Sequence, residues 1–200
     1  MEPVRRAYGV VAERYVELFG STSDVHTDDL DLIARHLSIS PGPVLDTGCG
    51  PGHLTAHLCS LGVDATGIDL VPEFIDHART THPDGRYLLG SMDHLPLPDE
   101  CLGGILAWYS LIHLPPDELD GVLAELRRAM TSGGTLVAGF FDGEQIEAFD
   151  HKVMTAYRWP MDELAARLRC AGFTEIERRQ RPGNPAPGPR PHAAIATRAP

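Results

Sequence analysis

The stretch Val44-Leu45-Asp46-Thr47-Gly48-Cys49-Gly50-Pro51-Gly52-His53-Leu54-Thr55 decides how the rest of the chain is read. A short apolar run, the pattern of a buried strand, enters three glycines at alternate positions, and a helical pattern over residues 53–61 leaves them. Lacking a Cβ, glycine lets the backbone turn sharply and approach a ligand that other side chains would exclude. The spacing is G-x-G-x-G behind an acidic residue, not the G-x-G-x-x-G that cradles a pyrophosphate, and Pro51 removes an N–H useful to a phosphate. The segment predicts a strand–loop–helix turn that binds a nucleoside rather than a dinucleotide.

Outward from this loop, apolar runs at residues 43–46, 65–69, 86–89, 104–108 and 135–140 read as strands. They alternate with helical patterns at 53–61, 72–80 and 117–130, and a last helix covers 161–171. Such alternation gives a parallel sheet covered on both faces. Upstream, Val4, Ala7, Tyr8, Val11, Ala12, Tyr15 and Leu18 share one face of a helix closed by Gly20, and a second helix begins near Thr27 as its cap. Downstream, strands at 173–179 and 192–198 are joined by a Pro-rich loop over 182–191, which predicts an antiparallel sheet edge. The fold class is therefore α/β: a three-layer, Rossmann-like, seven-stranded, mostly parallel sheet with an antiparallel last strand and two N-terminal helices. The whole of 1–200 reads as one domain, divided into a helical lid (1–40), a cofactor-binding core (41–141) and an acceptor-side segment with the sheet edge (142–200).

Composition narrows the function. The net charge of −11 argues against a surface for duplex nucleic acid. It is unevenly spread: residues 1–150 carry 8 basic and 24 acidic side chains, a net −16, and residues 151–200 carry 9 and 4, a net +5. Cys49, Cys59, Cys101 and Cys170 form no C-x-x-C pair, so a reducing cytoplasm is the expected location. Residues 1–20 lack the continuous apolar core of a signal peptide, and no stretch reaches the ~18 apolar residues of a membrane span. No membrane and no nucleic-acid partner is expected.

Two acidic residues accompany the loop. Asp69, in Gly67-Ile68-Asp69, ends the second strand 21 residues after Gly48, near the ~20 at which a carboxylate meets ribose hydroxyls. Asp93, in Gly90-Ser91-Met92-Asp93, follows the third strand at the same carboxyl edge of the sheet. With Asp46 they would surround a ligand carrying positive charge.

These motifs, with the run from Ile105 to Leu114 and Glu125-Leu126-Arg127-Arg128 ahead of Ser132-Gly133-Gly134-Thr135-Leu136, resemble in order and spacing those of class I S-adenosylmethionine-dependent methyltransferases, small-molecule branch. The likeness covers residues 4–198. It implies S-adenosylmethionine as cofactor, with S-adenosylhomocysteine as product. It also implies that Gly48, Gly50 and Gly52 run under the methionine part, with Asp46 reaching toward its amino group. Asp69 would take the ribose hydroxyls, Leu70 would flank the adenine, and Met92 and Asp93 would bind the adenine edge. Trp108 would offer its carbonyl to the amino group, while Tyr8 and Tyr15 would close the N-terminal helix over the cofactor. Relatives commonly carry Pro where Ser132 stands, which loosens a turn and removes no cofactor contact.

Methyl transfer from a sulfonium is an in-line displacement, so the protein mainly holds the nucleophile ~3 Å from the methyl carbon. His113 is the candidate catalytic residue, with an ordinary pKa of about 6.5 suited to proton removal; its other reading is a backbone bond in the turn that follows. Tyr109, Phe141, His151, Tyr157, Arg158 and Trp159 are the candidate acceptor-binding residues. For Tyr157 and Trp159 the alternative is packing under the last helix. Arg178, Arg179 and Arg181 either hold an anionic acceptor or form a solvated edge. His53 and His57 share a helix face without a third ligand, so no metal is expected.

The reaction these features imply is methyl transfer to O, N or C of a small-molecule acceptor, by a monomer or homodimer. Two alternatives differ in class. One is a protein that binds S-adenosylmethionine without methylating, as a regulatory partner or a sulfonium-assisted cyclase. The other, a nicotinamide oxidoreductase, is disfavoured by Pro51 and the missing third-glycine spacing.

Overall fold

The computed structural model describes residues 1–183 and 191–200. Most of the Pro-rich loop expected at 182–191 therefore lies outside the described residues. Helices α1 (Glu2–Phe19) and α2 (Thr27–Leu37) precede β1 (Val44–Thr47), α3 (His53–Ser60), β2 (Ala65–Asp69), α4 (Pro72–Thr81), β3 (Arg86–Leu89) and β4 (Leu102–Trp108). There follow α5 (Pro116–Ala129), β5 (Met130–Asp142), β6 (Glu147–Asp150), β7 (Thr155–Trp159), α6 (Met161–Cys170), β8 (Thr174–Arg181) and β9 (His192–Arg198).

The sheet runs β3-β2-β1-β4-β5, all parallel, and continues through β9 and β8, both antiparallel to their neighbours. These are the seven expected strands. The described residues hold nine, because 147–159, expected as a connector, folds into the antiparallel hairpin β6–β7. The extra pair fits a vacant flank: β4 stops opposite Gly139, and β7 pairs with Phe141 and Asp142 while β9 covers the other edge of Phe141.

Alternation along the central strands buries both faces. Ile105, Leu136 and Ile195 pack against Leu123 and Leu126 of α5 and Leu164 and Leu168 of α6, while Leu106, Val137 and Ala196 pack against Leu32, Ile33 and Leu37 of α2 and Leu54 and Leu58 of α3. Helix α1 stands apart from these layers and lays Tyr8 and Ala12 on Val71 and Phe74 at the start of α4. It thus roofs the carboxyl edge of β1 and β2. The cap of α2 differs from expectation: His26, not Thr27, accepts from the Asp28 amide through Nδ1 at 3.2 Å. No described helix is long and apolar enough to cross a membrane.

Candidate active site

Strand β1 delivers the glycine loop to the carboxyl edge of the sheet, where ligands of open α/β folds bind. Gly48, Gly50 and Gly52 all adopt positive φ, at 70°, 52° and 85°. Their surroundings differ. A Cβ on Gly50 would meet nothing within 4 Å, so that glycine borders open space, whereas one on Gly52 would lie 2.7 Å from Ala78 Cβ and from the Tyr87 ring. Gly52 therefore serves packing between the loop, α4 and β3, and lines neither cavity of the site.

Two carboxylates hold the loop. Asp46 Oδ2 accepts from Thr55 Oγ1 at 2.6 Å, tying β1 to the first turn of α3. Asp69 accepts from the Gly50 amide at 2.8 Å and the Val71 amide at 2.9 Å. Both are buried. Burial pushes Asp46 up to about 7, against the Thr55 bond and with help from the charge on Asp69; burial also raises Asp69 despite its amide donors. Among the described residues no cation pairs with either.

A first cavity beside Gly50 is lined by Asp69, Leu70, Met92, Trp108 and Ser110 and roofed by Val4, Tyr8 and Tyr15 of α1. The Tyr8 ring lies edge-on to Tyr15 and Phe74, with centroids 5.4 and 6.0 Å away. Burial and the nearby Asp69 charge push the Tyr15 phenol up to about 12. Met92 is buried in the lining, but Asp93 is exposed and outside it. The structure brings together the other expected cofactor residues, Gly52 and Asp93 excepted, with Asp46 reaching the site from the adjoining chamber.

His113 sits in a short 3-10 turn after β4. Its Nδ1 lies 2.8 Å from the Thr155 carbonyl, an acceptor, so Nδ1 carries the proton and Nε2 accepts from the Tyr8 hydroxyl at 2.7 Å. Burial lowers its pKa, opposed by the Thr155 bond. Both ring nitrogens are thus engaged.

A second chamber opens on the far side of Tyr8 and Trp108, lined by Asp46, His53, Tyr109, Phe141, His151, Asp29 and Arg181 among others. Of the expected acceptor residues, Tyr109, Phe141 and His151 line it. Tyr157, Arg158 and Trp159 do not, because the hairpin directs them elsewhere. Arg158 pairs with Glu147 at 2.7 Å and covers the Phe149 ring, Trp159 is buried under Arg167, and Tyr157 packs on the core. The basic tail divides likewise: Arg178 pairs with Glu175 and Asp162, and Arg179 with Glu177 and Asp31, whereas Arg181 reaches the chamber through Asp29.

Asp29, Ser110, Phe74 and His192 are site residues that the sequence reading passed over. Asp29 carried a signal, since it precedes Leu32 and Ile33 by three and four residues and so lies on the buried face of α2. Among the described residues no three His, Cys, Asp or Glu side chains are grouped so as to hold a metal ion.

Residues 44–134 match the family model described as a methyltransferase domain. Those 91 residues, under half of the chain, carry the likeness to a methyltransferase domain. Among relatives of this chain, the malonyl-[acyl-carrier protein] O-methyltransferase of Pectobacterium atrosepticum is 31% identical over 150 residues, 73% of this chain and 56% of that protein. The chain spans about half the length of these curated relatives. In fold it is similar to the [4+2]-cyclase SpnF, with TM-score 0.81 and 16% identity over 98% of this chain and 96% of that one. It is likewise similar to the 1,6-didemethyltoxoflavin-N1-methyltransferase of Burkholderia thailandensis, solved with its acceptor and S-adenosylhomocysteine, with TM-score 0.72 and 24% identity over 98% and 90%.

Proposed function

We propose that this protein is a methyltransferase that moves a methyl group from S-adenosylmethionine to O, N or C of a small-molecule acceptor held in the second chamber. The observation that carries the reading is a pair of buried carboxylates, Asp46 and Asp69, left without a cation beside the opening at Gly50. Burying an unpaired charge is costly, and a ligand bearing an ammonium and a sulfonium offsets that cost where a phosphate would add to it. Unpartnered buried polar atoms support the same reading: Ser110 Oγ in the first cavity and His53 Nδ1 in the second await a polar ligand. Asp69 would hold the ribose hydroxyls, Asp46 would face the amino group, and Leu70, Met92, Tyr8 and Tyr15 would enclose the rest.

When bound, the cofactor supplies a methyl group whose leaving sulfur is already activated. What this chain must add is orientation and exclusion of water. We assign His113 to positioning: through both ring nitrogens it joins α1 to β7 across the end of β4. Calorimetric titration with S-adenosylmethionine, S-adenosylhomocysteine and NADH tests the reading. Binding of the first two with NADH silent is the expected outcome, and NADH binding alone would overturn it.

A further inference from the structure

Tyr109, the residue that follows β4, has φ of 54°, a strained value for a side chain with a Cβ. That backbone turn places its hydroxyl against His192 Nδ1, in a hydrogen bond between the end of β4 and the start of β9. On the other side of the imidazole, His192 Nε2 lies 3.2 Å from Asp29 Oδ1. The approach is too oblique for an aligned hydrogen bond, and Nε2 has no other partner. Asp29 in turn accepts both arms of Arg181, at 3.0 and 2.7 Å. Burial works against an ionised Asp29, but His192 and Arg181 hold it well below the usual carboxylate range, so it is a carboxylate at neutral pH.

Hydroxyl, imidazole and carboxylate are thus successive neighbours. Asp29 and His192 are 3% and 5% exposed, while Tyr109 opens onto both cavities, where the cofactor and acceptor chambers meet. Nδ1 facing a phenol and Nε2 facing a carboxylate favour the tautomer with its proton on Nε2. In that tautomer Nδ1 accepts the hydrogen bond from the Tyr109 hydroxyl and can take its proton.

We propose that Tyr109, His192 and Asp29 form a proton relay for the methyl acceptor, and that the acceptor is a molecule bearing a hydroxyl or N–H rather than a carboxylate. This rests on the methyltransferase reading above and narrows its acceptor class. As the bond from the acceptor atom to the methyl carbon forms, the carbon–sulfur bond breaks with its electron pair passing to sulfur. The acceptor's proton moves to Tyr109 Oη, the Tyr109 proton moves to His192 Nδ1, and the imidazolium is held by Asp29. A carboxylate acceptor is already deprotonated at neutral pH and would need none of this.

The test uses the full chain labelled with 15N-histidine and saturated with S-adenosylhomocysteine. The ring resonances of His192, assigned with His192→Gln, report its tautomer. A proton on Nε2, with an Nδ1 signal that moves in Tyr109→Phe, is the expected result. A proton on Nδ1 would overturn the relay, because Tyr109 would then have no acceptor. A turnover arm offers catechol and a malonyl thioester as probe acceptors. Methylation of catechol that loses kcat at least 100-fold in both Tyr109→Phe and His192→Gln, with little change in KM for S-adenosylmethionine, supports the relay. Methylation of the malonyl thioester at equal rates by wild type and Tyr109→Phe overturns it. Failure of the parent reading looks different: no binding of S-adenosylhomocysteine by calorimetry, whatever the tautomer.

Discussion

The Tyr8 hydroxyl donates to His113 Nε2 at 2.7 Å, a bond between residues 105 apart in sequence. It latches the roof helix α1 to the carboxyl edge of the sheet, and the Thr155 carbonyl fixes the imidazole from the other side. Tyr8→Phe leaves Nε2 buried without a donor, at a cost of about 1–3 kcal/mol. Because the roof is then less firmly held, we expect the affinity for S-adenosylhomocysteine to fall roughly 5- to 10-fold by calorimetry, the lower-energy part of that same loss. Equal affinity in Tyr8→Phe and wild type would show that the latch has no part in closing the site.

Asp46 makes a prediction in which stability and binding move in opposite directions. Its folded-state pKa of about 7 lies above the ordinary 3.8, so between those values the native state binds more protons than the unfolded state. The ligand-free protein therefore loses stability as pH rises through that window, with the full penalty present above pH 7. Asp46→Asn removes the charge and should raise stability at pH 8 by roughly 1–3 kcal/mol, a gain that fades as pH falls toward 4. The same variant should bind S-adenosylmethionine at least 10-fold more weakly. Denaturant melts at pH 5 and pH 8 check the sign, and a variant less stable than wild type at pH 8 contradicts it.

Gly50 and Gly52 separate function from packing within one loop. Each has positive φ, so alanine costs about 1 kcal/mol of backbone strain at either position. At Gly50 the new methyl projects into open space on the cavity side, and at Gly52 it meets Ala78 and Tyr87 at 2.7 Å. Gly50→Ala should fold, with a Tm within a few degrees of wild type, yet lose most cofactor binding. Gly52→Ala should lose stability first, by about 1–3 kcal/mol beyond the strain. Scanning calorimetry of the two apo proteins, followed by ligand titration of whichever folds, distinguishes them.

The elements legible in the sequence were those with a local cause. The Val44–Thr55 loop, the alternating strands and the antiparallel edge follow from periodicity and glycine placement, and the structure has them in that order, with β5 beginning at Met130, five residues before its expected start. The hairpin at Glu147–Trp159 was hidden because its register depends on β5 outrunning β4, a relation between distant strands. Asp93 points to a different limit: it stands at the correct sheet edge, but the turn after β3 buries Met92 and leaves its neighbour in solvent. The meeting of Asp29, Tyr109, Arg181 and His192 is hidden for a third reason, since they come from α2, the end of β4, β8 and β9 and are joined only when β8 and β9 pair Arg181 with His192.

The hairpin supplies a last prediction, because it moves residues expected over the acceptor into the framework. Arg158 pairs with Glu147 at 2.7 Å and covers the Phe149 ring, its side chain a quarter exposed. Such a pair contributes little, so Arg158→Ala should cost at most about 1 kcal/mol. Trp159 is 3% exposed and packs with Met161 and Leu164 beneath Arg167. Trp159→Ala should therefore cost about 3–5 kcal/mol through the cavity it leaves. For a chain of this length that is a fall in Tm of roughly 6–20 °C. Neither change touches the glycine loop, so both variants, measured below their melting temperatures, should keep wild-type affinity for S-adenosylhomocysteine. A selective loss of acceptor binding in Arg158→Ala, with stability intact, would return that residue to the acceptor site.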